Sequence, residues 1–206
     1  MVFYFTLLSK PEYICYMGRD KYENEELLRW GWPEDLWFHV DAHSSAHVYL
    51  RMSTGQGMDD LPASVINECC QLTKHNSIEG CKIKDVKVVY TPWTNLKKTN
   101  GMEVGQVGFH KEALRRYAHV TKDPVLLNSL EKTRVELNTV NFQEERETRD
   151  GLERSGARKQ EEERRKREQV EKEDLQKQLD LKHYTSLSKE AMTSNKEQSR
   201  NEDDFM

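Results

Sequence analysis

The segment 35–51 holds the side chains best suited to ligand binding. It reads DLWFHVDAHSSAHVYLR, two alternating runs joined by a short polar connector. Alternation predicts two strands, and the connector predicts that they are antiparallel neighbours. One face of the pair then collects an indole, two imidazoles, a phenol and a guanidinium: Trp37, His39, His47, Tyr49 and Arg51. Because such groups are costly to bury, we expect this face to be open to solvent and to stack on flat, charged ligands.

The opposite face of the same pair is aliphatic and is expected to pack on a core. Its members are Leu36, Phe38, Val40, Val48, Leu50 and Met52. Successive side chains of a strand point to opposite faces, so the two sets separate by alternation alone.

A second cluster of potential ligand-binding residues is basic. Five lysines with an interleaved indole lie between residues 82 and 98: Lys82, Lys84, Lys87, Trp93, Lys97 and Lys98. Ammonium groups contact phosphates and aromatic rings stack on bases, so this composition favours nucleic-acid binding with little sequence preference. The alternative is a solvated strand edge protected by its lysines.

The sequence gives little support for a metal site or for a catalytic nucleophile. His39, His43 and His47 have a spacing that would line one face of a helix, but here they fall in a strand, a connector and a strand. Ser44 and Ser45 lie outside any GxSxG elbow. The glycines at 101, 105 and 108 lack the GK[ST] ending of a phosphate loop. We therefore expect no catalytic residues, no metal and no cofactor.

The aromatic residues divide the chain unevenly. After residue 120 the sequence has three of them, Phe142, Tyr184 and Phe205. The first 120 residues can bury a core, because a domain of that size buries a little over 60% of its unfolded surface. We assign 1–120 to a globular domain, 121–184 to a charged, coiled-coil-like helix and 185–206 to a disordered acidic tail.

The patterns along the globular part predict an α+β fold. Strands are indicated at 1–8, 13–18 and 86–91, besides the two in 35–51, and helices at 20–30 and 61–76. Residues 104–110 read as a strand or loop punctuated by glycine. The result is one antiparallel-rich sheet with two packed helices, followed by a long charged helix that begins near residue 122.

The C-terminal segment has recurring acid-to-base pairs four residues apart, such as Glu161–Arg165 and Glu162–Lys166. These pairs stabilise a solvated helix, which we expect Gly151 and Gly156 to interrupt. A sustained apolar seam is missing, although Val170, Leu175 and Leu179 offer a short contact for a protein partner.

Charge and cysteine content set the broad class. The net charge is −4, so nucleic-acid binding requires a local patch. The four cysteines, Cys15, Cys69, Cys70 and Cys81, have no CxxC spacing, which favours reduced thiols in a cytoplasmic or nuclear protein. The sequence contains no run of 18 apolar residues, so we expect no membrane span.

Several motifs together resemble the NFACT-R domain family: DLWFHV, SSAHVYLR, VVYTPWTNLKK and GQVGFH. The resemblance implies a nucleic-acid-binding module whose larger relatives work in ribosome-associated quality control, bound to the large ribosomal subunit and tRNA. It places the characteristic positions at Trp37, His39, Ser45, His47, Arg51, Lys97 and Lys98. Ser44-Ser45-Ala46 stands where bacterial relatives have a glycine before the Ser-His.

The resemblance to vertebrate relatives implies an alternative, a DNA-binding receptor associated with membranes. Its DNA segment is residues 21–25: Lys21, Tyr22, Glu23, Asn24 and Glu25. This segment carries two acids to one base, which is poor for phosphate binding. A third hypothesis is a protein-interaction adaptor without nucleic acid. The leading hypothesis is a non-enzymatic nucleic-acid-binding module that takes RNA first, with the ribosome or tRNA as partner and a helix that reaches a protein.

Overall fold

The computed structural model describes residues 1–137 and 141–200, with the backbone alone for 183 and 185–200. The strands are β1 Val2–Thr6, β2 Ile14–Gly18, β3 Asp35–Val40, β4 Val48–Arg51, β5 Asp85–Pro92, β6 Leu96–Lys97, β7 Gly108–Phe109, β8 Arg116–Thr121 and β9 Val135–Leu137. The α-helices are α1 Lys21–Trp30, α2 Ala63–His75, α3 Pro124–Glu131 and α4 Phe142–Arg200. The chain divides into two units between Thr148 and Arg149.

Seven strands form one sheet in the order β8-β5-β3-β4-β2-β1-β9, and every neighbouring pair is antiparallel. Strands β6 and β7 form a separate two-stranded hairpin. The predicted α+β class with an antiparallel-rich sheet and a long C-terminal helix is confirmed. Helix α1 begins as its sequence indicates, because the Asp20 carboxylate accepts from the amides of Tyr22 and Glu23.

One face of the sheet packs against α2 and α3 and holds the main core. The predicted aliphatic set of β3 and β4 lies in this core, with Leu36, Phe38 and Leu50 fully buried. Helix α2 contributes Val65, Cys69 and Leu72, spaced three and four residues apart on one side.

The other face of the sheet is also covered, by α1 and by the β6–β7 hairpin. Leu27 of α1 and Phe109 of β7 pack on Trp37 and Tyr49 in a second, smaller core. Trp37 is 2% exposed and Tyr49 0%. The expectation that this face is open to solvent is therefore wrong for these two rings and for His47, which is 7% exposed. Their polar groups tolerate burial because each one is hydrogen-bonded inside the unit.

The segment after residue 121 is not one continuous helix. Helix α3 ends at Glu131, and Val135 and Leu137, which fall within the segment predicted to be one helix, lie in β9 at the edge of the sheet. The neighbouring strand β1 supplies backbone partners from Val2 to Tyr4, and these favour an extended conformation there.

Helix α4 then continues to Arg200, through both Gly151 and Gly156. The expected interruption is absent, because ion pairs along the helix offset the low helix propensity of glycine. The predicted pairs Glu161–Arg165 and Glu162–Lys166 are formed at 2.9 and 2.7 Å. Residues 201–206, the end of the predicted disordered tail, lie outside the described residues.

Candidate nucleic-acid interface

At one end of the second face, the strands β2, β3 and β4 and the loop before β3 bring together Tyr16, Asp35, Arg51 and Trp32, here called the arginine cluster. The buried Asp35 carboxylate accepts from Arg51 at 2.9 and 3.1 Å, from the Tyr16 hydroxyl at 2.5 Å and from the Trp32 amide at 2.7 Å. The guanidinium lies 3.7 Å from the Trp32 ring centroid and 5.1 Å from that of Tyr16. The cluster leaves Arg51 little capacity for an outside ligand.

Burial and charge shift the pKa values of the arginine cluster in a consistent direction. Burial, followed by the neighbouring Asp35 carboxylate, raises the pKa of Tyr16. Burial alone would lower the pKa of Arg51, but its contacts with Tyr16 and Asp35 outweigh that effect and raise it. Tyr16 is therefore a neutral donor and Arg51 a permanent cation.

At the other end of the face, three rings form a second arrangement. The Trp37 indole Nε1–H donates to His47 Nδ1 at 2.8 Å, which leaves the neutral His47 ring with its proton on Nε2. His39 Nδ1 donates to the Val40 carbonyl at 2.7 Å, so His39 Nε2 is an acceptor. The His39 ring stacks on Trp37 with centroids 5.5 Å apart and an interplanar angle of 4°.

Both imidazoles are neutral near pH 7. Burial lowers the pKa of His47 to about 3, and the neighbouring His39 contributes to the shift. Burial also lowers the pKa of His39, against the opposing effect of its bond to Val40. The two rings can therefore stack and hydrogen-bond, but they do not supply positive charge for phosphate.

Two adjoining cavities open beside these rings and share His39, Ser44, His47 and Gly105; together they are called the histidine groove. The first has a volume of about 440 Å³ and reaches the start of α1 at Lys21 and Asn24. The second, about 690 Å³, extends past Asp41 to Phe109. Both volumes fall within the rough range of 300–1,000 Å³ for small-ligand sites.

The loop between β6 and β7 separates the two cavities and is tied to α1. Lys98 Nζ lies 2.7 Å from Glu25 Oε1 and donates to the carbonyls of Glu103 and Gln106. The Gly105 amide donates to the same Glu25 oxygen at 2.6 Å, with Gly105 at a φ of +85°. Burial opposes the shift, but Lys98 and the Gly105 amide lower the pKa of Glu25. Lys98 thus holds the loop in place.

The other predicted lysines do not form one patch. Lys82 and Lys84 precede β5 and Lys97 follows it, so the eight residues of this strand lie between the two groups along the chain. All three side chains are exposed and have no ion-pair partner in residues 1–137 and 141–182. Trp93 is half-buried, and its indole donates to the Leu28 carbonyl at 3.0 Å. Trp93, like Lys98, is engaged in the fold.

Lys87 lies beside the histidine groove. Its ammonium is 3.5 Å from Asp41, which lines the second cavity, and 3.9 Å from the centroid of the exposed Tyr117 ring. Arg115 lies 5.0 Å from Phe109, another lining residue, and 5.7 Å from Tyr117. The groove therefore continues into a surface that combines cations with aromatic rings.

Tyr117 and Arg115 are absent from the predicted site, although the alternation along β8 carried a signal for Tyr117. Alternation along Arg116–Thr121 places Tyr117 and His119 opposite the core residues Ala118 and Val120. No comparable signal was available for Gly105, because its approach to His47 depends on how the β6–β7 loop folds back.

The predicted alternative DNA segment, residues 21–25, forms the first turns of α1. Glu23 pairs with the terminal ammonium of Met1, and Glu25 with Lys98. Asn24 is buried and accepts from the Tyr49 hydroxyl at 2.9 Å. Only Lys21 and Tyr22 of this segment project outward as exposed side chains, so the segment is not a continuous binding strip.

Two features are absent from the described residues, 1–137 and 141–200. No cluster of three or more His, Cys, Asp or Glu side chains in that part of the chain is arranged to hold a metal ion. Within the same residues, no helix combines the length and apolarity needed to cross a membrane.

Comparison with known proteins gives a family and several relatives. Residues 1–111 match the family model described as the NFACT protein RNA binding domain. The coiled-coil domain-containing protein 25 homolog of Dictyostelium discoideum is 53% identical over 208 residues, and coiled-coil domain-containing protein 25 of Bos taurus is 46% identical over 209; each match covers 100% of both chains. Protein JLP2 of Saccharomyces cerevisiae is 40% identical over 66% of this chain and 69% of its own length.

A solved structure shares the fold. It is the C-terminal part of the fibronectin/fibrinogen-binding protein from Streptococcus suis, with a TM-score of 0.52 and 20% identity. The match covers 62% of this chain and 48% of the streptococcal one.

Proposed function

The chain belongs to the family of NFACT protein RNA binding domains, and we propose that it binds single-stranded RNA along the histidine groove without catalysing a reaction. The observation that carries this proposal is the junction of groove and surface at Lys87, where a cation, an exposed aromatic ring and the groove wall meet within 4 Å. Ammonium groups beside aromatic rings favour the backbone and the bases of an unpaired strand.

Within this proposal the predicted site residues take different roles. His39 lines the groove and can stack or accept a hydrogen bond. Lys87 and Lys97 supply exposed positive charge for phosphates. Trp37, His47 and Tyr49 hold the groove wall from inside the fold.

The test is a binding titration of the full chain with fluorescent single-stranded RNA at several salt concentrations. Lys87→Glu and Lys97→Glu should weaken binding to all sequences about equally and reduce the salt slope by roughly one each. Lys132→Glu is the matched control, because this exposed lysine ends α3, which packs on the opposite face of the sheet. Equal effects of all three substitutions would contradict the placement.

We further propose that the specific RNA partner is the ribosome or a tRNA, because the family resemblance implies that role. This proposal puts the protein in the cytoplasm. Sedimentation of the tagged chain with large ribosomal subunits, lost in Lys87→Glu but kept in Lys132→Glu, supports it. Sedimentation at the top of the gradient for the unaltered chain rejects it.

Helix α4 is proposed as a contact for a protein partner. Val170, Leu175 and Leu179 are exposed apolar side chains on an otherwise charged helix. Replacing the three by Glu should abolish capture of that partner while leaving RNA affinity unchanged. RNA affinity that falls with these substitutions would instead assign α4 to the nucleic acid.

Two competing functions remain as outcomes of the same titration. A DNA-binding receptor, favoured by the exposed Lys21 and Tyr22, predicts tighter binding to DNA than to RNA and loss of DNA binding in Lys21→Glu. A protein adaptor predicts no binding to either nucleic acid above the level of the triple-substituted control Lys82→Glu/Lys87→Glu/Lys97→Glu.

A further inference from the structure

The second face of the sheet carries exposed side chains where β5 and β8 pair. Val89 of β5 belongs to the second core, which fixes the face on which its neighbours lie. The antiparallel register places Tyr117 opposite Val89 and His119 opposite Lys87, so all four residues share that face. The side chains of Lys87 and His119 are 43% and 70% exposed, and Tyr117 is 39% exposed. Lys87, Tyr117 and His119, here called the sheet platform, are therefore accessible to a ligand.

The sheet platform continues the wall of the histidine groove. Val89 is opposite His39 on one side and Tyr117 on the other, so the two rings lie in one row across three strands. Neighbouring strands are about 4.8 Å apart, which puts the backbone positions of His39 and Tyr117 about 10 Å from each other. A nucleic-acid strand that leaves the groove at His39 can therefore reach Tyr117 directly.

Tyr117 and His119 offer two flat rings at the spacing of alternate residues in one strand. A strand rises about 3.3 Å per residue, so these two backbone positions are about 6.6 Å apart. Aromatic rings on an open sheet surface are a known means of stacking two or three successive RNA bases. A base inside a duplex has both of its faces covered by its neighbours, so rings of this kind favour an unpaired strand.

Lys87 supplies the positive charge that a nucleotide backbone requires. Its ammonium lies 3.9 Å from the Tyr117 ring centroid, and its backbone is opposite His119, so the cation is close to both rings. Two exposed acids are nearby: Asp41 is 3.5 Å from the ammonium, and Asp85 is 3.6 Å from His119 Nδ1. Because exposed ion pairs are weak, a phosphate can replace Asp41 as the partner of Lys87 at small cost.

A ligand that fits the sheet platform has two flat groups joined by a negative charge. Two successive nucleotides of an unpaired strand have this composition, because a phosphate links them between their bases. We infer that the sheet platform binds two successive unpaired nucleotides, with one base on Tyr117, the next on His119 and the linking phosphate at Lys87. The inference rests on the proposed RNA binding and extends that site from the groove onto β8.

Substitution of each ring measures its contribution to RNA affinity. Tyr117→Ala should weaken binding of the full chain to a ten-nucleotide single-stranded uridine RNA roughly 10-fold, and His119→Ala roughly 5-fold, as expected for loss of a stacked base. Both losses should persist at high salt, because stacking is not an interaction between charges. Tyr117→Phe keeps the ring and should bind within about two-fold of the unaltered chain.

Two matched controls remove the same ring types elsewhere. Tyr184 is an exposed tyrosine of α4, and His75 is an exposed histidine at the end of α2, which packs on the first face of the sheet. Tyr184→Ala and His75→Ala should leave RNA affinity unchanged. Thermal unfolding verifies that each of the four alanine variants is folded.

A second measurement observes the rings themselves by ¹H–¹³C NMR of the full chain. The Tyr117 resonances are identified by their loss in Tyr117→Phe, and those of His119 by their loss in His119→Ala. The ring current of a stacked base should shift both sets upfield as the single strand saturates the protein, while His75 stays in place. An RNA duplex of the same length should shift neither ring.

The results that overturn the inference are distinguishable from failure of the RNA proposal. Unshifted rings at saturating RNA, with Lys97→Glu still weakening binding, reject the sheet platform and leave RNA binding in place. Losses in Tyr117→Ala and His119→Ala no larger than those of the controls reject it as well. Equal shifts with the duplex reject stacking by unpaired bases. An absence of binding to every RNA by the unaltered chain rejects both proposals together.

Discussion

The two ends of one sheet face use the same residue types in different ways. At the arginine cluster, each oxygen of the Asp35 carboxylate is bonded and the guanidinium is enclosed by two rings. At the histidine groove, the rings border open cavities, and Asn24 retains an unused donor. Aromatic and charged residues on a strand are therefore compatible with a structural cluster and with a ligand site. The completeness of their hydrogen bonding distinguishes the two.

The largest expected effect lies at the arginine cluster. Asp35→Ala removes the acceptor for Tyr16, Trp32 and Arg51 and leaves a partly buried cation without its partner. We expect the free energy of unfolding to fall by about 3–5 kcal/mol, measured by urea denaturation. A loss below about 1 kcal/mol would show that this end is as open as the groove.

The dependence of stability on pH tests the burial of His47 in the histidine groove. The pKa of His47 is lowered to about 3 in the folded protein from about 6.5 when unfolded. Below pH 6.5 the unfolded state therefore binds more protons, and stability decreases as the pH falls from 6.5 towards 3, by up to about 1.4 kcal/mol per pH unit. His47→Gln should flatten this dependence relative to the exposed control His119→Gln. The same slope in both variants would contradict the burial of His47.

Lys98→Met tests whether the groove wall depends on the ion pair with Glu25. The substitution removes three hydrogen bonds that hold the β6–β7 loop. Because the pair is partly exposed, we expect a stability loss of about 1 kcal/mol, together with weaker RNA binding. Hydrogen exchange at the Gly105 amide should accelerate. Lys97→Met, its neighbour, should leave that exchange rate unchanged.

The smallest stability effect is expected for Asp41→Asn. Its pair with Lys87 spans 3.5 Å between two exposed side chains, so thermal unfolding should show a change below about 0.5 kcal/mol. RNA affinity should nevertheless rise about two- to three-fold, because a negative charge leaves the groove wall and Lys87 is released. Weaker binding in this variant would indicate that Asp41 itself contacts the ligand.

Sequence patterns predicted much of this fold and less of the site. Alternation in 35–51 correctly separated Leu36 and Phe38 from Trp37 and His39, because the strand period is a local property. The covering of Trp37 by Phe109 was beyond such reasoning, since it joins residues far apart in the chain. Local periodicity assigns a face, whereas its exposure is decided by tertiary packing.

The two edge strands of the sheet, β8 and β9, affect how this protein folds during its synthesis. Strand β9 pairs with β1 across more than 130 residues, and β8 protects the opposite border beside β5. A nascent chain that stops near residue 111 has neither, so its β1 and β5 present unpaired amides and carbonyls to other chains. Completion of the sheet must therefore wait for late translation, and fragments that end before β9 should self-associate.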